Sequence, residues 1–125
     1  MKQEYIKGDI VMYDNKIHII MDTLGVNNYE LSCIEHPVHQ LELSGVPITP
    51  EILYNNRWKR LKSKRYTWWE VRFDEIRYFI KPNKDYPFVW ELYRGNRRRR
   101  FEKIRYIHQL QHFFFGLGLN SEMEV

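Results

Sequence analysis

The chain has 125 residues and a formal net charge of +4, with 43% hydrophobic and 29% charged residues. These are the proportions of one folded domain rather than of a disordered chain or of two separately stable halves. No apolar run approaches the roughly 20 residues of a membrane helix, and the N-terminus lacks the apolar stretch of a secretory signal, so the expectation is a cytoplasmic protein with no membrane partner. Cys33 is the only cysteine, which excludes an intramolecular disulfide.

The charge is unevenly spread. Residues 1–49 carry three Lys/Arg against seven Asp/Glu, whereas residues 50–125 carry seventeen against nine. Such polarity steers anions toward one side of a molecule but does not determine its fold. Aromatic side chains make up 16% of the chain, more than a small core needs, so some are expected to stack on a ligand or partner.

In chain order, residues 8–13 read as a strand, Asp14-Asn15-Lys16 as a turn and residues 17–21 as the returning strand of a hairpin. Gly25 and Asn27-Asn28 mark a second turn. Residues 29–35 and 38–43 read as third and fourth strands interrupted by Pro37, and Cys33 falls within the third. Several short strands joined by tight turns predict an SH3-like small barrel over residues 1–49.

Thr49-Pro50-Glu51 predicts a helix start: a hydroxyl N-cap, proline at the first helical position and an acid facing the helix dipole. That helix is expected to stop near Asn55-Asn56. Four antiparallel strands are then predicted at residues 66–73, 76–81, 88–93 and 97–104, the last two joined through Gly95-Asn96. On the first of these, Trp68 and Trp69 must point to opposite faces; if both are buried, the strand is covered on both sides. Ile104, Ile107, Leu110, Phe114 and Leu117 then share one face of a helix over residues 105–115, stopped by Gly116 or Gly118. The fold class read from this pattern is α+β, mostly β, as a single domain: an SH3-like barrel part at 1–49 and a basic helix-sheet-helix part at 50–125.

Three stretches carry a resemblance. Gly8-Asp9-Ile10-Val11-Met12-Tyr13, Val46-Pro47-Ile48-Thr49-Pro50-Glu51-Ile52-Leu53 and Tyr106-Ile107-His108-Gln109-Leu110-Gln111-His112 are similar in order and spacing to motifs of an uncharacterised family of small proteins carried by phages and mobile elements of gut anaerobes. The resemblance covers most of the chain apart from its basic segments. It implies a similar fold and a setting in the cytoplasm of an infected or lysogenic bacterial host, but no activity.

The candidate binding residues come from the basic segments. Arg57, Lys59, Arg60, Lys62, Lys64 and Arg65 precede Tyr66, Trp68 and Trp69, and a second group is the run Arg97, Arg98, Arg99 and Arg100. Cations that meet phosphates beside rings that stack on bases fit a nucleotide or a single-stranded nucleic acid. The competing reading of the first group is a solvated charged face. For the arginine run it is pairing with Glu70, Glu91 and Glu102 across strands, although the local excess of positive charge outweighs those acids.

Cys33, His36 and His39, with His108 and His112 one helical turn apart, raise a zinc hypothesis. Pro37 interrupts the first set and no CxxC is present, so ordinary histidines are expected and no metal or cofactor is assigned. There is no Gly-rich phosphate loop, nucleophile elbow or HExxH motif, so no catalytic residue is assigned either, although a phosphodiester hydrolase assembled by folding stays open. The function expected is non-catalytic binding of an anionic nucleotide ligand, such as a cyclic or short oligonucleotide immune signal sequestered by a phage protein. A deep ligand cavity forms most easily between subunits of a small protein, so a homo-oligomer is expected. The alternatives are a DNA- or RNA-binding accessory protein and a protein-interaction or virion component.

Overall fold

A computed structural model describes residues 4–62, 67–98 and 100–125. The protein is α+β and mostly strand, with two five-stranded antiparallel sheets and two α-helices among the described residues. The chain divides into two compact units, residues 4–46 with 106–123 and residues 47–105 with 124–125.

The first unit holds strands β1 (Ile10–Tyr13), β2 (Lys16–Leu24), β3 (Asn28–Leu31), β4 (Val38–His39) and β5 (Ser44–Gly45) in the order β4-β3-β2-β1-β5. The β1–β2 turn uses Asp14 and Asn15 at φ 49° and 61°, the left-handed pair of a tight hairpin that these two residue types tolerate well. Alternation along β2 sends His18 and Ile20 inward and leaves Ile17, Ile19 and Met21 exposed. A register shift between Ile20 and Asp22 bends the strand. Tyr5, Val11, Ile20, Tyr29, Leu31 and Val38 form the core of this unit. Among the described residues β4 and β5 are not paired with each other, so no closed barrel forms.

Helix α2 (Ile107–Gly116) packs on β1. It buries Ile107, Leu110 and Phe114 at the helical spacing expected of a core-facing stripe. Gln111 fixes its register on the strand by accepting from the Ile10 amide at 2.9 Å and donating to the Gly8 carbonyl at 3.0 Å. Gly45 is required where it stands, because a Cβ there would run into the Tyr106 ring.

The second unit begins with α1 (Pro50–Asn55), capped as the sequence predicts: Thr49 Oγ1 accepts from the Ile52 amide at 3.3 Å and Pro50 opens the helix. A meander follows: β6 (Lys59–Leu61), β7 (Trp68–Phe73), β8 (Ile76–Pro82), β9 (Trp90–Arg94) and β10 (Arg100–Ile104), each strand pairing with the next. One face of this sheet, called inner below, carries Trp69, Val71, Tyr78, Ile80, Trp90, Leu92 and Ile104, all buried. The segment leading into α1 is tied to that face, since the Trp90 indole donates to the Ile48 carbonyl at 3.2 Å.

Several expectations need correction. The third strand ends at Leu31, and Cys33 is an exposed turn residue at φ 63° rather than a strand residue. The fourth strand is two residues long, because a 3-10 turn at Gln40–Glu42 follows it, capped reciprocally by His39 and Glu42. Among the described residues five strands rather than four follow α1: Lys59–Leu61 adds β6, a segment whose charged side chains hide any apolar alternation. The last strand starts at Arg100, with Arg97 and Arg98 in the bend before it.

Candidate anion-binding face of the second sheet

Strand register assembles the second face of this sheet, called outer below, from residues distant in sequence. Leu61 stands opposite Trp68, Lys59 opposite Glu70, Glu70 opposite Phe79, Phe79 opposite Tyr93, Lys81 opposite Glu91 and Tyr93 opposite Arg100. Paired residues share a face, so Lys59, Glu70, Phe79, Tyr93 and Arg100 form one row across it, and the neighbouring positions Leu61, Trp68, Lys81 and Glu91 interleave aromatic with ionic side chains. The aromatic cluster is Trp68, Phe79 and Tyr93, each no more than 8% exposed, with Leu61 packed against it. Trp68 meets Tyr93 edge-on at 4.9 Å between centroids and Phe79 at 6.3 Å, the geometry that ring quadrupoles favour.

The ionic network centres on Glu91. Its carboxylate contacts the Lys81 ammonium, accepts from Arg100 Nη1 at 2.9 Å and accepts from Asn83 Nδ2 at 3.3 Å. Burial pushes the Glu91 carboxyl up, but hydrogen bonds from Lys81 and Arg100, and the charge of both, outweigh it and hold the group below the usual carboxylate range. Burial also raises the neighbouring Tyr93 phenol. Two cations around one acid leave this network net positive.

The bend at Gly95 and Asn96 follows β9. Gly95 adopts φ 81° and its amide donates to the Arg77 carbonyl at 2.7 Å, while Asn96 Oδ1 accepts from the Arg98 amide at 2.9 Å. The bend places the Arg97 guanidinium 5.6 Å from the Trp68 ring centre and 5.7 Å from that of Phe79. Arg77 lies 5.5 Å from Phe79 on the same face and 3.7 Å from Glu70. Cation–π contact orients a guanidinium without using its N–H donors. Among the described residues no carboxylate pairs with Arg97 or Arg98. Arg97 and Arg98, with Leu61, Glu70, Arg77, Phe79 and Asn96, line a cavity of ≈ 510 Å³.

The sequence-derived candidates separate cleanly. Trp68, Arg97, Arg98 and Arg100 come together on the outer face, and Lys59 joins them at its edge opposite Glu70. Arg100 is held by Glu91, so the expected pairing of the arginine run with acids holds for that residue. Trp69 points to the inner face at 6% exposure, opposite Arg60, and belongs to the core rather than to this site. Lys62 is exposed beyond the end of β6. Lys64, Arg65, Tyr66 and Arg99 lie outside the described residues. All four tryptophans are buried, at 3–6% exposure, so none offers a free ring face to a ligand. Phe79, Tyr93, Lys81 and Arg77 were not singled out by sequence, while Glu91 was named only as a partner for the arginine run and Asn96 only as a turn residue. A usable signal existed: Lys81 and Glu91 sit on two apolar strands at positions that register pairs, where unpaired charges would be costly.

The histidines of α2 are placed in the other unit. His112 Nε2 lies 2.6 Å from Asp9 Oδ2, and that carboxylate, 2% exposed, also accepts from the Ile6 amide at 2.9 Å. The hydrogen bond to Asp9 raises the His112 imidazole despite its partial burial. His108 stacks on Tyr106 at 5.7 Å and meets Tyr5 edge-on at 5.0 Å. Burial holds His108 neutral, pushing it down to about 4.

No family model, no curated protein and no solved structure matches the chain.

Proposed function

We propose that this protein binds an anionic nucleotide ligand non-catalytically on the outer face of its second sheet. One observation carries the reading: Arg97 and Arg98 border an apolar-floored cavity with no described carboxylate in an ion pair with either, Glu70 in the same lining being paired with Arg77, and Arg97 is held in place by Trp68 and Phe79. Guanidinium forks match phosphate oxygens in two-point geometry, and a floor of Leu61 and Phe79 suits the flat apolar part of a nucleobase or sugar. Arg77 and the Lys81–Glu91–Arg100 network add positive field behind the site.

In the phage setting implied by the motif resemblance, such a protein would sequester a cyclic or short oligonucleotide immune signal in the bacterial cytoplasm, and would do so as a homo-oligomer. The N-terminal unit fits an SH3-like reading through its short-stranded meander, its bent β2 and the return of β5 to β1. The second functional reading, a DNA- or RNA-binding accessory protein, uses the same arginines. It is favoured by their position on an exposed bend, where a longer strand could pass.

Native mass spectrometry of the protein with a panel of cyclic and linear nucleotides tests the proposal. The expected result is a defined complex with a small anionic mass that is lost in an Arg97→Glu, Arg98→Glu double variant. A protein that ignores the whole panel, or a double variant that binds as well as the parent, would overturn the site.

A further inference from the structure

Beside the cavity that Arg97 and Arg98 line, the hairpin joining β7 to β8 sets two arginines against each other. Arg72 stands directly opposite Arg77 on the outer face, and both are exposed. The Arg77 carbonyl accepts from the Gly95 amide at 2.7 Å, so the Arg77 backbone turns toward β9. Its pairing with Arg72 is therefore of the kind without hydrogen bonds, in which opposed side chains stand closest. Like charges in directly opposed positions destabilise a sheet.

Nearby acids leave the charge of this pair largely in place. Glu70 lies 3.7 Å from Arg77, while Asp74 and Glu75, exposed in the turn of the hairpin, form an ion pair with neither arginine. Among the described residues Arg72 has no ion-pair partner. Arg77 also lines the cavity with Arg97 and Arg98, and so belongs to both groups of cations. Gly95, next along the same row, brings no side chain, and the position its Cβ would take has nothing within 4 Å. That position puts no barrier between Arg77 and the arginines after the bend.

We infer that Arg72 and Arg77 form a second phosphate position beside the first, so that the ligand presents two phosphate groups, one to Arg97 and Arg98 and one to Arg72 and Arg77. This inference rests on the proposed nucleotide-binding reading and goes beyond it in the number of phosphates and in assigning Arg72 to the site. An anion between two opposed guanidinium groups turns a repulsive pair into two attractive contacts, each with the fork geometry that phosphate oxygens match. Two phosphates come either as a polyphosphate on one nucleoside or as successive groups of a phosphodiester-linked chain, and their chemistry at the arginines is the same.

The test is calorimetric titration of the full chain with adenosine monophosphate, adenosine diphosphate and the phosphorylated diadenylate dinucleotide. At least one of the two ligands with two phosphates should bind about tenfold more tightly than the monophosphate, as one additional charge-assisted contact implies. A gain with the diphosphate identifies a polyphosphate as a source of the second group, and a gain with the dinucleotide identifies a phosphodiester chain. Arg72→Gln should bring the favoured ligand down to the affinity of the monophosphate. The same substitution should leave the urea midpoint of the free protein unchanged or raised, because it removes a repulsion; a lowered midpoint would mean that Arg72 serves the fold and would overturn its assignment. A parent that binds all three ligands equally would overturn the second phosphate position while leaving the nucleotide reading intact, as would an Arg72→Gln protein that keeps the full gain. Binding of none of the three would overturn both.

Discussion

The two faces of the second sheet are about equally closed to solvent at their centres and are built from different materials. The inner face is hydrocarbon and indole: Trp69, Ile80, Trp90 and Leu92 at 0–6% exposure. The outer face buries Trp68, Phe79 and Tyr93 to a similar degree, but threads Lys81 and Glu91 between them and brings Arg97 over the rings. Apolar packing alone would stabilise a sheet at least as well, since a buried ion pair seldom outperforms a hydrophobic replacement of the same volume. The charge retained on the outer face is what the proposed anion-binding reading would use.

The largest effects should come from breaking that contrast at its centres. Leu92→Ala on the inner face should cost about 2–5 kcal/mol in denaturant unfolding, through lost burial and a residual cavity. Glu91→Gln on the outer face should cost about 3 kcal/mol or more, because Lys81 would stay buried without its counter-charge. Replacing the pair together, Lys81→Met with Glu91→Leu, should recover most of that loss in the same measurement. Recovery would separate the outer face from an ordinary core, where two such changes would add.

Acid should sharpen the comparison. The Glu91 carboxyl is depressed on folding, so its contribution to stability is present above its unfolded value and disappears as pH falls through the folded one. The helix histidines of the other unit act in opposite senses. His112 is raised by Asp9, so its contribution is complete below the unfolded value of about 6.5 and is lost as pH rises through the folded one. His108 is depressed to about 4, so the unfolded chain takes up a proton first and stability falls as pH drops from 6.5 toward 4. His112→Gln should therefore cost about 1 kcal/mol at pH 5.5 and less at pH 8, the value being modest because the imidazole is one-third exposed. Urea unfolding at the two pH values checks the sign.

The smallest stability effect belongs to the site itself. Arg98→Glu alters an exposed side chain with no ion-pair partner among the described residues and should change unfolding by no more than about 0.5 kcal/mol. It should nevertheless weaken nucleotide binding at least tenfold, a loss of about 1.4 kcal/mol from one reversed phosphate contact.

Legibility in the sequence followed how local each determinant is. The Asp14-Asn15 turn and the Thr49-Pro50 helix start were readable because a few adjacent residues specify their backbone. The opposite orientation of Trp68 and Trp69 followed from strand alternation alone. Cys33 misled because its neighbours favour extended chain while the fold needs a left-handed turn there. β6 was invisible, since Lys59-Arg60-Leu61 forms a strand only by pairing with Glu70, Trp69 and Trp68. The candidate face was legible in part: the arginine run and Trp68 announce themselves, whereas Phe79, Lys81 and Glu91 come together only when register brings three strands side by side. Arg98 and Arg100 looked equivalent in sequence, and only the folded sheet shows that Glu91 holds one of them.

The most direct test of the central claim is to follow backbone amide resonances of the isotopically labelled protein as adenosine monophosphate is added. Shifts concentrated at Phe79, Asn96, Arg97 and Arg98, saturating with one ligand per chain, are predicted. Silence at those amides, or shifts confined to residues 4–46 and 106–123, would contradict the assignment of the binding site to the outer face of the second sheet.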